Sequence, residues 1–249
     1  MEDSKLKGKC RKSVSVIIPC FNEGKYVYEQ IRYCLVCLSE AFENYEMILV
    51  DDGSFDETTK ELERLKQDFQ HVVVLHNHVN LNMGISVQRG MAVAQNEYIT
   101  FNAVDLPFDP KKLRRLIEKM EDADVLVVQR REYLGTTNWR RFLSFINRGI
   151  MRICFPVVKS GIKDTNYVQI YRKKYIDKLL PFAKSPIFTW PEMIFRARYL
   201  GLRIKTVTTE YHPRVQRKGA FGKPNDILWG IYDMFRFRIK RRKWFYARE

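Results

Sequence analysis

Residues 14–24 read VSVIIPCFNEG and residues 48–58 read ILVDDGSFDET. Each is a short aliphatic run that breaks abruptly into polar residues. Val14–Pro19 is apolar without alternation, the mark of a strand covered on both faces, and Pro19 is expected to end it. Met47–Val50 is a second buried strand, stopped by Asp51-Asp52-Gly53-Ser54. Between them, Tyr26–Phe42 carries Ile31, Leu35 and Leu38 at helical spacing. Ser54 or Asp56 can cap the next helix, Glu57–Phe69. The rhythm continues with strand Val72–Leu75, helix Gly84–Ala94, strand Glu97–Asn102, a helix over Pro110–Met120 opened by proline, and strand Val125–Val128. Strands alternating with helices over roughly the first 130 residues predict an α/β fold with an open, mostly parallel sheet and flanking helices.

The second half is less regular. Trp139–Phe155 has a wide apolar face opposed by arginines, a pattern expected to pack on the sheet and also compatible with a membrane surface. Val168–Tyr171 reads as a strand, Lys174–Leu180 and Pro191–Leu200 as helices, the latter closed by Gly201, and Arg203–Val207 as a last strand. Ile227–Arg238 reads as a terminal helix. Without an internal repeat or a long linker, one domain is expected.

The 249 residues are 45% hydrophobic, which excludes disorder. No stretch of about 20 residues is free of charged and amide groups, so no membrane span is expected. The first twelve residues lack an apolar segment of the secretory kind. Five cysteines (Cys10, Cys20, Cys34, Cys37, Cys154) fit no disulfide framework. The Cys34-x-x-Cys37 pair lies in a helical pattern without a second ligand pair. A reduced, cytoplasmic protein is the reading. Lys and Arg number 44 against 29 Asp and Glu, a net charge of +15, which points to phosphorylated ligands, anionic lipid or nucleic acid. Nucleic acid is disfavoured, because no helix-turn-helix, zinc finger or RNA-recognition signature is present. The excess concentrates in 236–249, RFRIKRRKWFYARE, where cations interleave with Phe237, Trp244, Phe245 and Tyr246. Such a segment suits a bilayer interface or a solvated terminal helix, and the sequence leaves both open.

Ligands of open parallel sheets bind beyond the carboxyl ends of the strands. The segments there are PCFNEG (19–24), DDGSFDET (51–58), HVNLNMG (78–84), NAVDLPFDP (102–110) and Gln129-Arg130-Arg131. So many carboxylates on one edge call for compensation by a cation or by a ligand's hydroxyl and N–H groups. No G-x-G-x-x-G follows the first strand and no phosphate-binding P-loop is present, which removes dinucleotide and P-loop chemistry.

VSVIIPCFNEG, ILVDDGSFDET, NLNMGISVQRGMAVAQNEYITF (80–101) and a following aspartate loop together resemble the family 2 glycosyltransferases of the GT-A fold. The resemblance implies that Pro19, Phe21, Asn22, Glu23, Asp51 and Asp52, with Asn82, Gly84 and Ala103, line the site of a UDP- or GDP-sugar. Downstream, DVLVVQRREYLG (124–135), NWRRFLSFINRGIMRI (138–153) and KDTNYVQIYRKKYID (163–177) resemble the narrower group that glycosylates dolichyl or other polyprenyl phosphates. That likeness implies phosphate contacts from Arg130 or Arg131, an acceptor-side role for Asp164, and closure over the phosphates by Arg214 and Lys218 of HPRVQRKGAFGK (212–223). Residues 1–130 then form the donor half, 131–223 the acceptor half, and 224–249 a basic-aromatic tail on the membrane surface. A membrane partner subunit is compatible with it.

The chain departs from the family at the metal motif. An Asp-x-Asp is expected after the fourth strand, and Ala103 stands at its first position, leaving Asp105 as ligand and catalytic residue for Mg²⁺ or Mn²⁺. Asn102 and Asp109 are candidate substitutes. Three outcomes stay open: a metal held by Asp105 and diphosphate oxygens, its role taken by Arg130, Arg214 and Lys218, or loss of catalysis with binding retained. A second departure is Asn166-Tyr167 where the group carries Ser-Gly. A phosphate acceptor needs positioning rather than a base; a hydroxyl acceptor needs one, with Asp164 and Glu192 as candidates. Inversion at the sugar's anomeric carbon is expected.

Overall fold

The computed structural model describes residues 8–130, 149, 155, 162, 164–209 and 224–246. Its first half follows the expected rhythm: β1 (Val14–Cys20), α1 (Tyr26–Ala41), β2 (Tyr45–Asp51), α2 (Thr58–Asp68), β3 (Val72–His76), α3 (Met83–Val93), β4 (Tyr98–Phe101), a 3₁₀ turn (Pro110–Lys112) running into α4 (Leu113–Glu118), and β5 (Val125–Arg130). Then come β6 (Gln169–Arg172), a 3₁₀ turn (Lys173–Tyr175), α5 (Ile176–Leu179), α6 (Thr189–Tyr199), β7 (Ile204–Thr209) and α7 (Pro224–Tyr246). Trp139–Phe155, expected as a helix, lies almost wholly outside the described residues.

The seven strands form one sheet in the order β3-β2-β1-β4-β6-β5-β7. β1 pairs in parallel with β2 and β4, β2 with β3, and β5 with β7. β6 is the exception: it runs antiparallel between β4 and β5, with Ile99 opposite Tyr171 and Leu126 opposite Ile170. The sheet is mostly parallel, as expected, but β4 and β5 are separated by a strand from the second half of the chain. Hydrophobic pattern reports which faces a strand buries and is silent about its neighbours.

β1 shows why the apolar runs lack alternation. Val14, Val16 and Ile18 pack beneath α1 and α2 with Ile31, Leu35, Leu38, Leu62 and Leu65. Ile17 points the other way, into a second layer with Ile48, Val87, Met91, Phe101 and Trp190. Both faces are covered, so the strand is apolar except at the buried Ser15, whose Oγ donates to Glu46 at 2.6 Å. Pro19 does not end the strand: the ladder continues through Cys20, whose carbonyl accepts the Asp52 N–H at 2.8 Å. Gly90 of α3 allows that helix to sit directly on β1, since a Cβ there would come within 2.5 Å of Ile17 Cγ2.

The terminal helix is longer than the periodicity suggested, Pro224–Tyr246 rather than Ile227–Arg238. It docks through two devices. Met234 and Phe237 join Phe155, Ala183, Phe188 and Phe195 in a separate apolar cluster. The Asp233 carboxylate accepts the N–H groups of Lys184 and Ser185 at 2.9 and 2.8 Å.

Candidate active site

The loops after β1 and β2 are stitched to each other through backbone N–H groups. Ser54 Oγ accepts from Asn22 N–H at 3.1 Å, and Asn22 Oδ1 accepts in return from Phe55 N–H at 3.0 Å. Thr58 Oγ1 accepts from Glu23 and Gly24, and Asp56 accepts from Gly24 as well. The first loop makes this turn with Asn22 and Gly24 at φ of 52° and 56°, in the left-handed region. Asp56 also accepts from Thr58 N–H at the head of α2, so the anticipated capping residue does double duty. The outer wall of the stitched pair is aromatic. Phe21 and Phe55 meet edge-on at 6.1 Å, and 85% of Phe55 is exposed. Phe55 had no signal in the sequence beyond its place in DDGSF.

The two aspartates at the end of β2 are buried and already engaged. Asp51 accepts from Ser54 N–H and Thr59 Oγ1, at 2.9 and 2.6 Å, and its Oδ2 lies 3.3 Å from His76 Nδ1. Burial works against its charge, but the hydrogen bonds from Thr59, Ser54 and His76 outweigh it and hold the carboxyl below the ordinary carboxylate range. Asp52 uses Oδ1 for Asn77 Nδ2 and Leu81 N–H, both at 2.8 Å. Among the described residues no donor reaches its Oδ2. Sequence reasoning offered both aspartates as ligand acceptors; the structure leaves Asp52 the better placed and makes Asp51 a strut of its own loop. Gly53, at φ 74°, lets the 77–82 segment press against this turn, since a Cβ there would come within 2.6 Å of the Val79 carbonyl carbon. Cys20, beneath the loops, is fully buried, and burial drives its thiol pKa well above normal, so it is not a nucleophile.

Asn82 and Gly84 carry local architecture. Asn82, at φ 74°, caps α3 by accepting from Gly84 and Ile85 N–H, and donates to the Lys184 carbonyl at 2.8 Å. A Cβ on Gly84 would meet Thr189 Oγ1 at 2.6 Å, so glycine allows α3 to start against α6.

After β4 the chain turns at Ala103–Leu106, closed by Leu106 N–H on the Ala103 carbonyl, with Leu106 at φ 43°. Asn102 and Asp109, the candidate substitutes for the missing aspartate, both have local partners. The Asn102 amide donates to the Phe108 carbonyl and accepts from Ala103 N–H, and Asp109 caps the 3₁₀ turn through Lys111 N–H. Asp105 is the carboxylate of the turn, and its Oδ1 is buried. There, no three His, Cys, Asp or Glu side chains are grouped to hold a metal. Among the described residues Asp105 is the carboxylate that would hold a divalent cation, with other oxygens needed to complete its shell.

Arg130 and Asp164, the expected phosphate ligand and acceptor-side carboxylate, are paired with each other. The guanidinium forks onto the carboxylate, Nε to Oδ2 at 2.5 Å and Nη2 to Oδ1 at 3.1 Å. The side chains are only 20% and 5% exposed. Tyr167 lies under the arginine, its ring 5.2 Å from the guanidinium carbon, and its hydroxyl donates to the Pro107 carbonyl at 2.8 Å. One departure from the family pattern thus ties Arg130 to the segment carrying Asp105. Glu192 is no base for this site. It is 1% exposed, accepts the N–H groups of Phe182 and Ala183, and pairs with Arg196 at 2.6 Å. Burial nevertheless raises its pKa. Arg131, Arg214 and Lys218 lie outside the described residues.

An open, mostly parallel sheet with polar loops converging beyond the carboxyl ends of β1, β2 and β4, and an arginine closing β5, is the arrangement of the GT-A fold. The profile of glycosyl transferase family 2 matches residues 15–223, and the chain belongs to that family. Undecaprenyl-phosphate 4-deoxy-4-formamido-L-arabinose transferase of Pseudomonas syringae is 27% identical over 183 residues, 71% of this chain and 52% of that protein. Glycosyltransferase GlyG of Streptococcus pneumoniae is 30% identical over 115 residues, 46% of this chain and 37% of that protein. The chain thus spans about half or less of the length of these relatives. Glucosyl-3-phosphoglycerate synthase of Mycobacterium tuberculosis, crystallised with Mn²⁺, UDP and glucosyl-3-phosphoglycerate, shares the fold at TM-score 0.66 and 17% identity. That match covers 93% of this chain and 80% of that one.

Proposed function

We propose that this protein is an inverting glycosyltransferase that moves a sugar from a UDP- or GDP-sugar to a polyprenyl phosphate. The observation that carries the reading is the convergence on one sheet edge of the stitched 19–24 and 51–58 loops, the Asp105 turn and the Arg130–Asp164 pair. The likeness to undecaprenyl-phosphate transferases supports the acceptor. Four cysteines among the described residues are free thiols, which suits the cytosolic face of a membrane.

In this reading, Phe21 and Phe55 offer an apolar wall for the base, and Pro19, Glu23 and Asp52 line the nucleoside pocket. A divalent cation held by Asp105 would neutralise charge on the leaving diphosphate. Arg130 supplies a preorganised cation for phosphate oxygens, held in direction by Asp164 and from below by Tyr167. An acceptor phosphate oxygen is ionised at neutral pH. It attacks the anomeric carbon as the carbon–oxygen bond to the diphosphate breaks on the opposite face, and the nucleoside diphosphate departs with that bonding pair. No proton transfer is required, which agrees with Glu192 being consumed by Arg196.

Calorimetric titration with UDP and GDP, each with Mg²⁺, Mn²⁺ or excess EDTA, tests this. Micromolar binding of one nucleotide, weakened by Asp105→Ala only when metal is present, is expected. Metal-independent binding transfers the charge-neutralising role to Arg130. Failure of both nucleotides under every condition overturns the proposal.

A further inference from the structure

Helix α7 has two apolar faces, and the fold uses one. Gly230, Asp233, Met234 and Phe237 look inward, onto the 183–188 segment and α6. At 100° per residue, Leu228, Tyr232, Phe235 and Ile239 fall within roughly 60° of arc on the opposite side. Their exposures are 65%, 56%, 53% and 75%. Trp229, 56% exposed, extends the stripe on one flank. The cations sit beside it rather than within it: by the same geometry Arg236 and Lys240 lie on one flank and Arg238 on the other.

We infer that this outward face of α7 docks on an anionic lipid surface, with the helix lying in the plane of the interface. Aliphatic and aromatic side chains enter the acyl boundary while the flanking guanidinium and ammonium groups reach the headgroups. Charge selects this occupant. Residues 236–243 hold six Lys or Arg and no acid, so a second copy packed on the same face would bring like charges together. An anionic bilayer offers apolar depth and negative charge at once. Among the described residues no helix is long and apolar enough to cross a membrane, so α7 lies along the surface. The inference rests on the lipid-acceptor reading for its purpose, since a polyprenyl phosphate is met at a bilayer. The docking itself is measured without nucleotide.

The full chain is sedimented with phosphatidylcholine vesicles that contain or lack about 30% phosphatidylserine. Binding to the anionic vesicles is expected, falling at about 0.5 M salt as screening shortens the reach of the cations. The triple variant Leu228→Ser/Phe235→Ser/Ile239→Ser is expected to lose affinity by at least about tenfold, because exposed apolar area drives insertion. Lys240→Glu, which alters charge alone, is expected to lose about fivefold or more. Circular dichroism of both variants should match the parent, as the substituted side chains face outward. Absence of vesicle binding by the parent, or undiminished binding by the triple variant, overturns the inference. So does self-association of the parent that the triple variant abolishes, if vesicles do not compete with it. Vesicle binding without nucleotide binding removes the glycosyltransferase reading and leaves this one standing; the converse removes only this one.

Discussion

Substituting Asp164 by Asn tests whether the fork between Arg130 and Asp164 holds the arginine in place. The change keeps the side chain's shape and removes its charge. Both bonds of the fork go to one carboxylate that is 5% exposed, while a fifth of the arginine side chain meets solvent. Breaking a fully buried ion pair from one side costs about 3–5 kcal/mol. Asn still offers one acceptor and Arg130 is partly hydrated, so the expected loss is about 2–3 kcal/mol. With a urea m-value of about 2 kcal/mol/M, that lowers the unfolding midpoint by about 1 M. Arg130→Gln alone and the double variant complete a cycle, and a coupling energy of about 1.5 kcal/mol or more is expected between groups in contact. Equilibrium urea unfolding followed by circular dichroism reads all four proteins. A coupling below about 0.5 kcal/mol, or an Asp164→Asn midpoint within error of the parent, refutes the pairing as a structural element. Calorimetry on the same proteins separates roles: if Arg130 meets phosphate, Arg130→Gln weakens nucleotide binding more than Asp164→Asn does.

Tyr167→Phe deletes the hydrogen bond to Pro107 but keeps the ring beneath Arg130; a stability loss of about 0.5–1.5 kcal/mol is expected, with tighter rather than weaker nucleotide binding as the outcome that contradicts the link to the Asp105 segment. Gly84→Ala drives a methyl group into Thr189 Oγ1 and should cost about 1–3 kcal/mol, read as a fall in Tm; an unchanged Tm means that α3 and α6 separate freely. Asp51 has a folded-state pKa below its unfolded value, so its contribution to stability is complete above the unfolded value of about 4 and is lost as pH falls through the lower folded value. Asp51→Asn should therefore flatten the acid limb of the stability–pH curve below about pH 4, and a limb as steep as the parent's would show that other carboxylates carry it.

Much of the fold of the first 130 residues was legible because its signals are local. Residues 14–19 and 47–50 announce buried strands by composition alone, and the polar segments that follow must fall at one sheet edge once the strands run parallel. Boundaries moved by a residue or two, and Pro19 proved compatible with a strand that continues past it. The roles of individual polar residues were less legible. Asn102, Asp109, Asn82 and Glu192 are the same residue types that bind ligands, yet each spends its side chain on backbone groups or a neighbouring arginine. A buried backbone N–H needs a partner as much as a ligand does, and sequence does not say which will claim the side chain.

Determined by the sequence alone are the alternation of elements, the two-sided burial of β1, the polar loops at the strand ends, and the lone Asp105 where a pair is usual. The first three follow from periodicity and residue chemistry within a few positions of each other, and the last from the resemblance to the family. Tertiary structure alone decided that β6 enters antiparallel between β4 and β5, that Arg130 finds Asp164 across 34 residues, that Tyr167 reaches Pro107 across 60, and that α7 turns one apolar face inward and one outward. Each is a contact between segments distant in sequence, chosen by how packed layers bring their edges together, and no local pattern carries that information.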